Sequence, residues 1–429
     1  MTQLLEPTTA GVDAARWPDV ATIPESRFRA QVARALLDRA VKRVGIRVET
    51  LGDPSGDSGT EGPAIHGSSG PLLRLHRPDS FYRRLGVNGL IGFGEGYQAG
   101  DWSTDDLAEL LATLARHVEQ IVPPRLQWIR RFYTHRIPPE TANTIGQSNR
   151  NIEAHYDLSN DMFREFLDET MTYSSALFDR SGLEPGADPA WDSLAEAQRR
   201  KIDRLLDLTK VGAGTRVLEI GTGWGELAMR AAHRGAIVHS VTLSHQQKAL
   251  VEQRIAAAGL SDRIRVELCD YRDVPGHADY DAVLSVEMIE AVGEEFWPTY
   301  FATLRRLVAP TGRIGLQAIT MPHHRMLITR HSHTWIQKYI FPGGLIPSPE
   351  VIEGECGLPL VDRYEFGHDY ARTLRLWRSR FLAHFPAVAR LGFDDVFRRT
   401  WELYLAYSEA GFASGYLNVG QYVFEGART

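Results

Sequence analysis

The chain has 429 residues, enough for two domains, with 43% apolar and 24% charged residues and a formal charge of −6. That balance, without a basic tail or stripe, argues against a nucleic-acid binder; two cysteines, Cys269 and Cys356, exclude a disulfide scaffold or an all-thiolate metal site and fit a reducing cytosol. No run of eighteen apolar residues occurs, so a lipid substrate has to be reached from the membrane surface.

Met1 to Pro24 reads as a loosely ordered leader without an apolar core of signal-peptide length. Ser26–Val44 has helical spacing, with Phe28, Val32, Ala35, Leu36 and Leu37 on one face. A strand is expected within Gly45–Leu51, a long loop over Gly52–Pro71, and a partner strand over Leu72–His76. Phe81–Trp102 is dense in glycine and aromatics, and Asp105–Val122 resumes helical spacing. Arg125–Arg136 mixes Arg125, Arg130 and Arg131 with Leu126, Trp128 and Phe132, a pattern that suits a helix packed on a neighbouring domain or lying on anionic lipid. Pro138–Ser148 reads as a linker. The expected domains are therefore residues 1–145, a mainly helical accessory or lipid-binding domain, and residues 146–429.

The second half alternates strand and helix. Strands are expected at Thr215–Ile220, Ala236–Val241, Ile264–Leu268, Tyr280–Val286 and Gly312–Ile319. Helices are expected at Ser244–Ala258 and Trp297–Val308, then at Thr373–Phe385 and Phe393–Gly411. This is the pattern of an α/β, doubly wound sheet with helices on both faces. After the first of these strands comes VLEIGTGWGELA, in which Gly221, Gly223 and Gly225 let the backbone turn sharply and approach a ligand. The spacing is not that of a dinucleotide or phosphate loop. Glu219, one residue before the strand ends, suits a cationic, amine-bearing ligand.

Taken together, NIEAHYDLSNDMF, MTYSSALF, VLEIGTGWGELA, DYRDV, SVEMIEAVG, QKYIFPGG and FGHDYARTL form one ordered set. It resembles the cyclopropane-fatty-acid synthase family of S-adenosylmethionine-dependent methyltransferases across roughly residues 80–425. SVEMIEAVG, QAITMPHHRML and LYLAYSEAGF look most like its actinobacterial branch, which makes 10-methylene fatty acyl chains on the route to tuberculostearic lipids. The resemblance implies a class I (Rossmann-like) methyltransferase sheet and a helical lid over an acyl pocket. That lid would include Trp335, Tyr339, Ile340 and Phe341.

For the cofactor, the resemblance implies that Gly221, Gly223 and Gly225 cradle the amino-acid part of S-adenosylmethionine, with Glu219 at its ammonium. Thr242, Leu243 and Gln247 would lie at the ribose, Asp270 and Tyr271 at the adenine, and Tyr173 and Ser174 over the methionine end. For catalysis it implies a bound bicarbonate held at the positions of Ser175, Glu290, Gln317, Ile319 and Tyr370. Ser175 and Gln317 differ from the family's Cys and His, so Glu290 is either the base itself or the anchor of the anion. Ser408 stands where many members carry a cysteine. The spacing of His323, His324, His331 and His333 matches no helix-borne metal motif, so no metal is expected.

The implied substrate is a membrane phospholipid carrying an unsaturated acyl chain, methylated by a peripheral enzyme at the cytoplasmic face. A flavin- or nicotinamide-dependent reductase would act on the methylene product, and self-association is left open. Two alternatives stand beside this reading: a cyclopropane product from the same chemistry, and a non-catalytic lipid- or cofactor-binding subunit, suggested by Ser175, Gln317 and Ser408.

Overall fold

A computed structural model describes residues 11–51, 64–67, 70–117, 159–179 and 190–427. The basic-aromatic segment 125–136 and the linker 138–148 lie outside the described residues. Two compact units interleave along the chain. One comprises Met1–Arg136, Ser332–Ile340 and Phe385–Tyr416, and the other Ile137–His331, Phe341–His384 and Leu417–Thr429. The sequence pattern draws one boundary after residue 145, whereas in these units two later segments join the first.

The first unit carries a four-stranded sheet of β1 (Arg47–Thr50), β2 (Ala64–His66), β3 (Leu72–Leu75) and β4 (Trp102–Ser103), in the order β2-β1-β3-β4. β2 falls inside the stretch expected to be loop. The helix Arg27–Val44 starts where Ser26 accepts from the Arg29 N–H and stops at left-handed Gly45. The face that carries its larger apolar residues is not the buried one. Phe28 and Leu36 are exposed, while Ala30, Ala33, Ala40, Val41 and Val44 are buried. The reason is a close approach. A Cβ on Gly86 of the helix Pro78–Ala99 would lie 2.4 Å from the Arg29 carbonyl oxygen, so only small residues fit between the two helices.

The expected loose leader is also corrected. Pro18–Ala21 forms a short helical turn, and Val20 is fully buried. Arg84 holds it, donating to the carbonyls of Val20 at 2.6 Å and Thr22 at 2.8 Å. The buried guanidinium also pairs with buried Asp101 at 3.0 Å, which offsets the cost of desolvating both charges.

In the second unit, β5 (Arg216–Ile220), β6 (Ile237–Thr242), β7 (Ile264–Leu268), β8 (Tyr280–Val286) and β9 (Val308–Thr320) run parallel. These strands and the helix His245–Ala257, capped by Ser244, match the expected pattern closely. The sheet is mixed, however, because β10 (Leu360–Glu365) and β11 (Asn418–Glu425) were not expected. β11 pairs antiparallel with β9 and with β10, giving the order β10-β11-β9-β8-β5-β6-β7. Alternation along the strands feeds two cores. Leu218, Ile220, Val283 and Leu316 pack on one face, and Val217, Val238, Leu284 and Val423 on the other. Among the described residues no helix is long and apolar enough to cross a membrane.

Candidate active site

Strand order reverses at β5, which lies between β6 and β8, so a crevice opens outside the carboxyl ends of β5 and β8. Two loops border it, Gly221–Gly225 after β5 and Glu287–Gly293 after β8. Gly221, Gly223 and Gly225 all have positive φ, at 94°, 52° and 89°. Gly225 has a second constraint, since a Cβ there would sit 2.7 Å from Val251 Cγ1. The helix Glu226–His233 begins immediately after it.

Glu219 is buried at the head of this turn, and its Oε2 accepts from the Ser240 hydroxyl. Ser240 in turn shares a 2.7 Å hydrogen bond with Thr222. Burial pushes the Glu219 carboxyl up to about 8, opposed only by the Ser240 bond. Among the described residues no cation offsets its desolvation, which is the environment a cationic ligand would complete.

The other residues expected at the cofactor end β6, follow β6 and β7 in the chain, or precede the sheet. Thr242 donates to Gln247 Oε1 at 2.9 Å and accepts from the Ser244 N–H, closing the turn after β6. Leu243 is half-buried rather than core. Asp270 is engaged by its near neighbour: Arg272 donates from Nε to Oδ1 at 2.8 Å and from Nη2 to Oδ2 at 2.6 Å. The Tyr271 ring meets Tyr300 edge-on at 5.4 Å. Its buried hydroxyl has no partner among the described residues.

Residues 173–178 form an irregular segment held by the helix Gly367–Arg390. Asp369 accepts from the Phe178 N–H at 3.1 Å, and Thr373 accepts from the Ala176 N–H at 3.2 Å. This places Tyr173 in an aromatic cluster, 5.1 Å from Phe163 and 5.4 Å from Trp377 between ring centroids. Trp377 also meets Phe166 and Tyr370 edge-on, each at 6.3 Å. Ser174 accepts from the buried Lys201 ammonium at 2.6 Å. Burial lowers that lysine to about 8, against the opposing pull of Glu287 and Asp168.

All five residues expected at the reacting centre gather around two carboxyl groups. Glu290 Oε1 accepts from the Ile319 N–H, while its Oε2 is buried without a partner among the described residues. Burial, then the neighbouring charge of Glu287, pushes Glu290 up to about 8. Both causes favour the protonated form of Glu290. Ser175, Gln317 and Tyr370 turn instead to Glu287. The Ser175 N–H and Gln317 Nε2 donate to its Oε1 at 2.9 and 2.8 Å, and the Tyr370 hydroxyl donates to its Oε2 at 2.7 Å. Gln421 of β11 ties this group down, donating from Nε2 to Gln317 Oε1 at 3.1 Å and to the Lys201 carbonyl at 2.9 Å.

Glu287, Lys201 and Trp377 were missed by the sequence reading. Glu287 carried one available signal, an acid at the carboxyl end of a parallel strand in a switch-point sheet. His323 bonds to Ser348 at 2.8 Å, and among the described residues no group of three or more His, Cys, Asp or Glu is placed to hold a metal. Trp335 and Tyr339, expected in the lid, bond within the first unit to Gln98 and Glu95. Ser408 lies on the helix Asp395–Ala413, also in the first unit.

Comparison with known proteins gives a consistent set of relatives. The family described as mycolic acid cyclopropane synthetase matches residues 144–422. The chain is 52% identical over 422 residues to the tuberculostearic acid methyltransferase UfaA1 of Mycobacterium tuberculosis, covering 96% of each. It is 32% identical over 371 residues to the cyclopropane-fatty-acyl-phospholipid synthase of Escherichia coli, covering 85% of this chain and 90% of that one. Among solved structures, the cyclopropane synthase MmaA2 from Mycobacterium tuberculosis superposes with a TM-score of 0.58 at 31% identity, covering 65% of this chain and 98% of that one. The mycolic acid cyclopropane synthase CmaA1 complexed with SAH and CTAB gives 0.57 at 30% identity, with the same coverage.

Proposed function

The chain belongs to the mycolic acid cyclopropane synthetase family, and from that membership we propose that it methylates the cis double bond of phospholipid-bound oleoyl chains. The product is a 10-methylene-stearoyl chain, and the methyl donor is S-adenosylmethionine. The chain is thus a C-methyltransferase of lipid biosynthesis. One observation supports the reading above others. A buried carboxyl with no cation beside it among the described residues, Glu219, lies at the same strand ends of the sheet as the carboxyl pair Glu287 and Glu290.

When bound, S-adenosylmethionine supplies an electrophilic methyl group on a sulfonium. Glu219 would take the ligand's ammonium, the Gly221–Gly225 turn would accommodate its amino-acid part, and Tyr173 with Ser174 would hold the methionine end. Thr242, Leu243 and Gln247 would hold the ribose, and Tyr271 the adenine. Asp270 Oδ2, which accepts one bond from Arg272, has a second acceptor site that would serve an adenine amine. In keeping with this geometry, a Gly225→Ala variant is expected to bind S-adenosylmethionine at least about tenfold more weakly by titration calorimetry, because the Cβ strains the turn and displaces Val251.

An isolated alkene is a poor nucleophile, so the acyl chain has to be held, dry and oriented, against the methyl group. Attack leaves a carbocation on the acyl chain. The rings of Tyr173, Trp377 and Tyr370 screen that charge without trapping it. A 1,2-hydride shift moves the cation to the methylated carbon, and loss of a proton from the new methyl gives the exocyclic methylene. The acid–base centre for that loss is the cluster of Glu290, Tyr370, Ser175, Gln317 and Ile319.

Residues 1–145 serve this reaction as the lipid-binding accessory part, with the chain acting peripherally at the inner membrane face. The methylene product requires two electrons to become a methyl branch, so a flavin- or nicotinamide-dependent reductase consumes it. The test incubates the chain with labelled S-adenosylmethionine and dioleoyl phospholipid vesicles, then separates the released methyl esters by gas chromatography and mass spectrometry. A methylene-branched ester is expected. A cyclopropane ester, favoured by the resemblance to the Escherichia coli synthase, would overturn the product. No transfer would overturn the whole reading.

A further inference from the structure

A bound bicarbonate does not fit the reacting centre. Three of the groups expected to hold it, the Ser175 N–H, the Gln317 amide and the Tyr370 hydroxyl, already converge on Glu287. The remaining two, the Ile319 N–H and the Glu290 carboxyl, are bonded to each other. An external anion would have to displace a side chain that is covalently part of the site, and whose three donors come from three different segments of the unit.

We infer that the Glu287 carboxylate is the general base of the reaction, built into the chain in place of a diffusible anion. This rests on the methyl-transfer reading and deepens it. Several features converge on Glu287. It is the first residue beyond β8, at the switch point, where ligand-facing groups of such sheets sit. Its backbone is left-handed, with φ 48°, a conformation a glutamate adopts only when its surroundings hold it there. Both carboxylate oxygens accept hydrogen bonds, one from Tyr370, and the buried Lys201 ammonium favours the charged form. Burial outweighs them and raises the Glu287 carboxyl on balance, with Lys201 and those donors opposing the rise. Beside it, Glu290 Oε2 has no partner among the described residues, and burial with the neighbouring Glu287 charge raises the Glu290 carboxyl. The two adjacent carboxyls are thereby distinguished by their partners, three donors and the Lys201 charge on Glu287 against a single N–H on Glu290, the kind of difference that separates base from acid.

In the step itself, a C–H bond of the newly added methyl breaks. Its electron pair forms the exocyclic double bond to the cationic carbon, and the proton passes to a Glu287 oxygen. Release of that proton to solvent as product leaves restores the carboxylate. No oxidant or co-reactant is required beyond the methyl donor.

The experiment uses the full chain with S-adenosylmethionine and dioleoyl-phosphatidylglycerol vesicles in carbonate-free buffer, with and without added bicarbonate. The wild-type rate is expected to change by less than about twofold on adding bicarbonate. Glu287→Gln is expected to lower the rate about 10²- to 10⁴-fold, the usual contribution of a positioned base, with S-adenosylmethionine affinity retained. With trideuteromethyl donor, that variant gains a primary isotope effect, because proton removal becomes rate-limiting; a purely structural role would not produce one. Glu287→Gly relaxes the left-handed backbone and vacates the carboxylate's space, so it is expected to recover at least about tenfold activity with bicarbonate. Wild-type activity that depends on bicarbonate, or a Glu287→Gln variant as fast as wild type, would overturn the inference while leaving methyl transfer intact. A wild-type chain that transfers no methyl under either condition overturns both.

Discussion

Glu219→Gln is expected to weaken S-adenosylmethionine binding about 30- to 100-fold, the loss of one buried charge-assisted hydrogen bond of about 2 to 3 kcal/mol. The wild-type group also imposes a pH dependence with a definite sign. Burial pushes Glu219 up to about 8 in the free chain, so at neutral pH it is mostly protonated. A ligand ammonium requires the carboxylate, so binding at pH 7 expels a proton. Affinity therefore rises by up to about tenfold per pH unit and levels off above pH 8. Calorimetry in buffers of different ionisation enthalpy reads the released proton directly, and Glu219→Gln should abolish it. In the free chain the linkage runs the other way. The folded-state value is raised, so the contribution to stability is complete below the ordinary carboxylate range and is lost as pH rises through about 8. The glutamine variant, unable to ionise, should lack this loss. An unchanged affinity in the variant would remove Glu219 from the ligand site.

Trp377→Ala is expected to cost about 3 to 5 kcal/mol in urea denaturation, because the side chain is fully buried and cannot be replaced by water. The ring is in contact with Phe166, Tyr173 and Tyr370, so its loss also loosens two groups placed at the reacting centre. Trp377→Phe separates the two effects. It keeps most of the packing, so its stability should fall far less, while the smaller ring screens a cation less well. The expected signature is a lowered kcat with unchanged affinity for S-adenosylmethionine. Equal kcat in wild type and Trp377→Phe would confine the indole to a packing role.

The strand, glycine turn and helix at the crevice were readable from the chain because their signals are local. An apolar strand, three glycines and a helix lie within a dozen residues, and Glu219 is fixed by its position on the strand. The reacting centre was only half readable. Ser175, Gln317 and Tyr370 were found through resemblance, yet the group they face, Glu287, is defined by contacts among four distant segments. No periodicity encodes such a meeting. For the same reason β10 and β11 escaped notice. They follow the alternating pattern and pair antiparallel across long separations, with β11 beyond two long helices. In the first unit, composition misled. Phe28 and Leu36 looked like core, but the approach of Gly86 reserves the inner face of that helix for alanine and valine.

β11 has a consequence for how the protein is made. Its eight residues zip along β9, and its Gln421 reaches Gln317 and the Lys201 backbone beneath the carboxyl pair. The ribosome delivers β11 after every other strand of that sheet. Until it emerges, the inner edge of β9 has unpaired N–H and C=O groups, and Gln317 lacks one of its tethers. The glycine turn and the parallel strands can assemble on the nascent chain, whereas the acid–base centre is finished only after synthesis has passed Gln421. During that interval the open β9 edge is the place where a neighbouring nascent chain could pair wrongly, so chaperone demand should peak late in translation.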